Sequence, residues 1–339
     1  MGLVLGIDTS CYTTSLALLD TGGGLVADQR KLLDVPAGAR GLQQSNAVFQ
    51  HIQNIKNLFD NLWEIPGRRK LILGVAASVR PRLVEGSYMP VFTVAESYGR
   101  TLAGLLGVPF IPTSHQEGHI MAGLWSIGIF PAREFLAVHL SGGTTEVLRV
   151  TQQGESADMM FDIRLLGGTK DLNAGQFIDR IGVALGLPFP AGPELEKLAR
   201  RAAGAISIPS SVHGLEISFS GPETMAQRLI SSGADAAEVA RGVEQCIANS
   251  LEKALRRAIE QTGVIDILLV GGVTANYYIR SRLRERLEHR AVGARLFFAE
   301  PSMSSDNAVG VAAIGLRKLK ASPGGETGSY PTRIKDKIT

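Results

Sequence analysis

Residues 3–19, LVLGIDTSCYTTSLALL, are an apolar run, a short turn of small and hydroxyl residues, and a second apolar run. Residues 135–150, FLAVHLSGGTTEVLRV, repeat that shape. Each predicts a hairpin, the first from strands at 3–7 and 14–19, with 24–33 as a third strand. Between the hairpins the period changes. Val48, Ile52, Ile55, Phe59 and Leu62 recur at helical spacing, so a helix is expected from Ser45 or Asn46 to about Trp63, ended by Pro66-Gly67. LILGVAASV at 71–79 is nearly continuous in apolar residues, as a strand buried on both faces must be. A helix over 90–106, a strand over 109–112 and a helix carrying His115 and His119 follow. Beyond the second hairpin the pattern predicts helices at 173–186, 193–203, 222–232 and 236–262. It then predicts strand 266–271, helix 275–288, strand 295–300 and helix 305–320. Strands alternating with helices make an α/β chain.

The repeated hairpin and Pro131 divide the chain. Residues 1–130 form one expected domain, completed by the helix at 305–320 crossing back to it. Residues 131–304 form the second, and 321–339, rich in glycine, proline and alternating charges, a loosely ordered tail.

Composition narrows the class. Of 339 residues, 45% are apolar and 20% charged, enough for a sizeable core. No apolar run approaches the roughly 18 residues a membrane span needs, and the first residues lack a basic segment and cleavage-type site. Two cysteines, Cys11 and Cys246, without a local metal spacing, fit a reducing cytoplasm. The net charge of +3 permits a nucleic-acid partner without demanding one. The basic run Arg280, Arg282, Arg284, Arg286 and Arg290 is interleaved with Glu285 and Glu288, as on a solvated helix face with internal ion pairs.

Three glycine-rich or hydroxyl-rich turns carry the candidate chemistry. Ser141-Gly142-Gly143-Thr144 can present backbone N–H groups to an anion, because glycine lets the chain approach closely. Asp8-Thr9-Ser10 brings a carboxylate to the first turn, where it could hold a phosphate-bound metal. ILLVGGVTAN at 267–276 runs from a strand through Gly271 and Gly272 into a helix. Together the turns predict a nucleotide site. Asp179, on the next helix, could accept from ribose hydroxyls, with Gly192 in a proline-glycine turn beyond it.

In His115-Gln116-Glu117-Gly118-His119 the imidazoles stand at i and i+4, on one helix face, and can share a metal ion. Asp306, in SSDN, is a candidate third ligand. Glu117 is two residues from each histidine and points away from them. A metallopeptidase, whose glutamate directly follows the first histidine, is therefore disfavoured.

The first hairpin, the HxxxH pair, the SGG turn, the Asp179–Gly192 segment, SFSG at 218–221, GGVTAN and SSDN occur in this order over nearly the whole chain. In that combination the chain resembles the TsaD/Kae1 family (Gcp or YgjD), once classed as O-sialoglycoprotein endopeptidases. The resemblance implies the actin-like ATPase fold, related to hexokinase, Hsp70 and ribonuclease H, with a nucleotide cleft between two duplicated domains. It implies transfer of threonylcarbamoyl from threonylcarbamoyl-adenylate to N6 of adenosine 37 in tRNA, and a single iron or zinc ion on His115, His119 and Asp306. The ATP, ADP or adenylate contacts would be Ser141, Gly142, Gly143, Thr144, Asp179, Gly192 and Asn276, with Thr9, Gly271 and Gly272 in the neighbouring turns. Asp8, Ser10 and Cys11 are the candidates for a catalytic role. Implied partners are tRNA and a protein of the same fold, or a second copy of this chain.

The departures from the family pattern fall on chemical positions. The usual bacterial first turn reads close to IETSCDET; here it is IDTSCYTT, with Tyr12, Thr13 and Thr14, and two acids are lost. A GPG turn has become Arg80-Pro81-Arg82. Thr144 replaces a histidine, Gln176 an acid and Glu223 a lysine. These changes suggest a divergent bacterial paralogue. They leave three other readings open: a nucleotide- and metal-binding protein without transfer activity, a small-molecule kinase of the same superfamily, and, least favoured, the metallopeptidase.

Overall fold

The computed structural model describes residues 2–10, 12–35, 42–64, 72–128, 132–153, 160–204 and 206–321. Cys11 and the expected loose tail lie outside them. The chain divides into two units, one of Met1–Phe130, Gln152–Asp162 and Ser305–Thr339, the other of Pro131–Thr151 and Ile163–Ser304.

The first unit is built on a five-stranded sheet in the order β3-β2-β1-β4-β5. β1 (Leu3–Asp8), β2 (Thr13–Asp20) and β3 (Leu25–Leu32) form an antiparallel meander. β4 (Ile72–Arg80) joins β1 in parallel, and β5 (Phe110–Ser114) joins β4. One sheet face packs against α1 (Gln44–Trp63) and α2 (Phe92–Leu106). Ile55, Leu58, Phe59 and Leu62 of α1 meet Leu5, Ile7, Leu16 and Leu18 there. The other face takes α3 (His115–Ile127) and α9 (Val309–Ala321). Glycines permit that second layer to close. A Cβ on Gly6 would lie 2.4 Å from the Ala308 carbonyl oxygen, and one on Gly310 only 1.9 Å from that of Gly118.

The second unit holds a seven-stranded sheet in the order β12-β11-β6-β7-β8-β10-β9. β6 (Glu134–Leu140) and β7 (Thr145–Gln152) are the second hairpin, and β8 (Phe161–Thr169) extends it. β11 (Asp266–Val270) runs parallel to β6 and to β12 (Arg295–Phe298). The short β9 (Ser211–His213) and β10 (Glu216–Ser218) close the far edge. Helices α4 (Ala174–Ala184), α5 (Gly192–Ala199), α6 (Ser220–Ser231), α7 (Ala236–Thr262) and α8 (Tyr277–Leu287) complete the unit. Phe177 and Phe219 stack, and the apolar face of α7 from Val239 to Ala258 fills the core beneath them.

Two local readings needed correction. The last helix starts at Val309 and not at 305, because the Asn307 carboxamide accepts from the N–H groups of Val309 (3.0 Å) and Gly310 (3.4 Å) and so caps it. Strand β8 is not among the expected elements, nor are the short β9 and β10; in β8 the dipeptide Gly167-Gly168 has the composition of a turn. Here those glycines lie inside a strand where no side chain fits: a Cβ on Gly167 would sit 2.3 Å from the Leu215 carbonyl oxygen, and Gly168 has φ +150. The basic run of α8 is largely paired within its own unit. Arg284 meets Glu288 at 3.1 Å, Arg282 donates to Asn249 at 2.8 Å, and Arg280 lies over the Phe298 ring.

Candidate functional site

The first unit gathers three side chains that could hold a metal ion at the start of α3. Ser114 caps this helix: its hydroxyl accepts from the Glu117 N–H at 3.2 Å, and the Glu117 carboxylate accepts from the Ser114 N–H at 2.9 Å. That box sets where helical geometry begins, so His115 and His119 emerge on successive turns of one face. It also commits the buried Glu117 to the cap, away from any role as a general base. Asp306 arrives from the turn just before α9. The Nε2 atoms of His115 and His119 are 3.0 Å apart, and Asp306 Oδ1 is 3.6 Å and 3.2 Å from them. A circle through these three atoms has a radius of about 1.9 Å, slightly inside the roughly 2.0–2.2 Å of metal–nitrogen and metal–oxygen bonds. Those spacings suit one ion held by all three side chains. Two imidazoles and a carboxylate suit zinc or iron(II).

Asp8 stands behind this triad. Its Oδ2 lies 3.2 Å from His115 Nδ1, and its Oδ1 accepts from the Ser10 N–H at 2.9 Å. With the proton on Nδ1 donated to Asp8, the lone pair on Nε2 is directed at the triad's centre. Asp8 is placed there because β4 pairs in parallel with both β1 and β5, so the carboxyl ends of β1 and β5, Asp8 and Ser114, emerge at one edge of the sheet, and Ser114 precedes His115. Replacing Asp8 with asparagine is expected to weaken zinc binding about 10- to 100-fold with little loss of fold. Zinc titration against a competing chelator measures it, and unchanged affinity would remove Asp8 from the centre.

The neighbouring first-turn residues are differently occupied. The Thr9 hydroxyl donates to the Val91 carbonyl at 2.8 Å and accepts from the Ala95 N–H, tying the turn to the start of α2. Ser10 is fully buried, and its hydroxyl has no partner among the described residues. Thr14 is buried and pairs with His51 Nδ1 of α1 at 2.8 Å.

The second unit brings two glycine turns together at the carboxyl ends of parallel strands β6 and β11, where open α/β sheets bind ligands. Gly271, at φ +97, closes onto the end of β6: a Cβ there would be 2.2 Å from the Leu140 carbonyl oxygen. Ser141 follows Leu140 directly, so Ser141-Gly142-Gly143-Thr144 and Gly271-Gly272 are adjacent. A Cβ on Gly142, Gly143 or Gly272 would meet nothing within 4 Å, so their backbone can be approached closely. The start of α4 points at the same turn. Gly175 donates to the Ser141 carbonyl at 3.2 Å, and Ala174 to the Thr145 hydroxyl at 2.8 Å. Gln176 closes the capping box with Asn173, which explains how an amide serves where the family has an acid.

Asp179, one turn along α4, accepts from the Ala191 N–H at 2.8 Å; burial raises its carboxyl's pKa against that bond. It thereby fixes Gly192 at the first position of α5. Asn276 caps α8, its side-chain oxygen accepting from the Ile279 N–H at 2.9 Å. Its amide donates to Glu244 at 2.6 Å. Two positioning residues had escaped the sequence reading. Asn307 was visible in SSDN as a capping residue. Glu244 carried no signal, since an acid in a 27-residue amphipathic helix reads as a surface group.

Comparisons with known proteins follow the same outline. A family profile described as TsaD, tRNA N6-adenosine threonylcarbamoyltransferase, matches residues 38–313. Among solved structures, the chain is similar to component A of the (R)-2-hydroxyglutaryl-CoA dehydratase of Acidaminococcus fermentans. That match has a TM-score of 0.57 and 17% identity, over 95% of this chain and 100% of that one. The activator of the 2-hydroxyisocaproyl-CoA dehydratase of Clostridium difficile, solved with ADPNP, gives a TM-score of 0.54 at 14% identity, covering 94% and 96%. A ROK family glucokinase of Streptomyces griseus, in complex with glucose and AMPPNP, gives 0.52 at 12%, covering 93% and 99%. At such identities the likeness concerns the fold, which is the actin-like ATPase fold. No helix among the described residues is long and apolar enough to cross a membrane.

Proposed function

The chain belongs to the TsaD family of tRNA N6-adenosine threonylcarbamoyltransferases, and from that premise we propose that it moves a threonylcarbamoyl group from threonylcarbamoyl-adenylate to N6 of adenosine 37 in tRNA. The observation that carries the reading is the triangle of His115, His119 and Asp306 with Asp8 behind it, a donor set whose spacings fit one ion. In the transfer the N6 amine forms a bond to the carbamoyl carbon, the bond from that carbon to the phosphate oxygen breaks, and the amine loses a proton as AMP departs. A bound ion would supply Lewis acidity toward a carbonyl or phosphate oxygen. His115, His119 and Asp306 would hold it, and Asp8 would keep the His115 tautomer fixed. The Ser141–Thr144 turn would offer backbone N–H groups to the adenylate phosphate, with Asp179, Gly192 and Asn276 shaping the nucleoside side of the same unit.

A second reading, ligand binding without transfer, is favoured by the first turn. It presents the exposed phenol of Tyr12 and the buried Thr13 where the family pattern has acids. One experiment separates them. Metal-loaded protein is given threonylcarbamoyl-adenylate and tRNA, and the modified adenosine is counted by mass spectrometry, beside a Tyr12→Asp/Thr13→Glu variant. Product from the native chain supports transfer. Product from the variant alone supports the second reading, and product from neither argues against the tRNA reaction.

A further inference from the structure

The second unit contains a cavity of about 460 Å³ lined by Glu196, Arg200, Arg241, Tyr277, Tyr278 and Ser281. One wall depends on a buried group that the proposed transfer does not use. Glu244 lies inside α7, fully buried. One carboxylate oxygen accepts from Arg241 at 2.6 Å and the other from the Asn276 amide at 2.6 Å. Arg241 is further fixed by donating to the Ala199 carbonyl at 3.0 Å, and its guanidinium lies 4.1 Å from the centre of the Tyr278 ring. Asn276 in turn caps α8, the helix that presents Tyr277 and Tyr278. A single carboxylate therefore holds two sides of the cavity, one on α7 and one on α8.

We propose that Glu244 is the positioning residue of this cavity, holding Arg241 and Asn276 in place when ionised and releasing Arg241 when protonated, so that binding of a nucleoside diphosphate in the second unit tightens as pH rises. The inference rests on the nucleotide reading given above: Asn276 directly precedes the cavity residue Tyr277, and Gly192 opens α5, the helix that carries the cavity residue Glu196. The charges acting on Glu244 are Arg241 on its own helix and Glu196 and Arg200 on α5. Burial outweighs its two hydrogen bonds and pushes its carboxyl up to about 7, within the range where cells and assays operate. The sign follows: above that value both bonds are charge-assisted, and below it the Arg241 pairing is lost.

The test is isothermal titration of ADP into metal-loaded protein at pH 6, 7 and 8, for the native chain, Glu244→Gln and Arg241→Gln. Native affinity is expected to rise roughly tenfold across this range beyond the phosphate's own titration, which all three proteins share. Glu244→Gln keeps the side chain's volume and is expected to show only the shared slope. Arg241→Gln removes the cation that favours ionisation and is expected to move the midpoint upward. Identical slopes in the native chain and Glu244→Gln, with ADP bound by both, overturn the role of Glu244 and leave the nucleotide reading standing. If Glu244→Gln does not fold, an unmoved midpoint in Arg241→Gln overturns it equally. No ADP binding by the native chain at any of the three pH values overturns both.

Discussion

His119→Ala is expected to abolish metal binding. The imidazole supplies one corner of the donor triangle, 3.0 Å from His115 Nε2 and 3.2 Å from Asp306 Oδ1, and alanine leaves only a two-ligand site. Affinity for zinc should fall by more than about 100-fold, beyond the loss assigned to a supporting residue such as Asp8. Elemental analysis after dialysis should show metal with the native chain and none with the variant. His119 is also buried against the layer of α3 and α9, so circular dichroism and thermal unfolding must accompany the measurement. Asp306→Asn provides the complementary case. Asparagine keeps size and polarity but removes the charge, and it sits on the turn, not in the helix packing. A folded Asp306→Asn protein that binds zinc as tightly as the native chain would disqualify the triangle as the metal site.

Gly310→Ala is the second large effect, and it joins the fold to the site. In the present backbone the added methyl would lie 1.9 Å from the Gly118 carbonyl oxygen and 2.6 Å from the Ala122 N–H nitrogen. These are backbone atoms of α3, so no side chain can rotate aside; the helices must separate. The expected loss is about 3 kcal/mol or more, at the upper end of overpacking costs. Separation also draws Asp306, three residues before the α9 start, away from His115 and His119, so zinc affinity should drop together with thermal stability. Gly104→Ala is the control. It lies near the end of α2, a Cβ there meets nothing within 4 Å, and the change should stabilise by about 0.5–1 kcal/mol. If Gly310→Ala unfolds at the native temperature, the account of α3 and α9 packing is wrong.

Much of this molecule was legible along the chain because its signals are local. The repeated hairpins and the apolar run at β4 follow from residue periodicity, which depends on one buried face and little else. The pairing of His115 with His119 follows from the rise of a helix, and the match of motif order brought Asp306 to them before any geometry was known. What periodicity could not supply were contacts made by backbone. Gly167 and Gly168 look like a turn until Leu215 and Thr145 are seen to press on them, and β8 was missed for that reason. Asn307 moved the start of α9 past Asp306 because a side-chain cap competes with one more helical turn.

The sequence by itself determined the fold class and most of the elements in order, and it singled out His115, His119 and Asp306 as candidate metal ligands, since each rests on spacing within a few residues or on recognisable motifs. Only the tertiary structure decided what those side chains face. It assigned Asp8 to the far nitrogen of His115, Glu117 to a helix cap, Thr9 to the start of α2, and Asn276 to the buried Glu244. Partners 82 and 107 positions apart in the chain meet only because β4 pairs in parallel with both β1 and β5, and no local pattern encodes that arrangement.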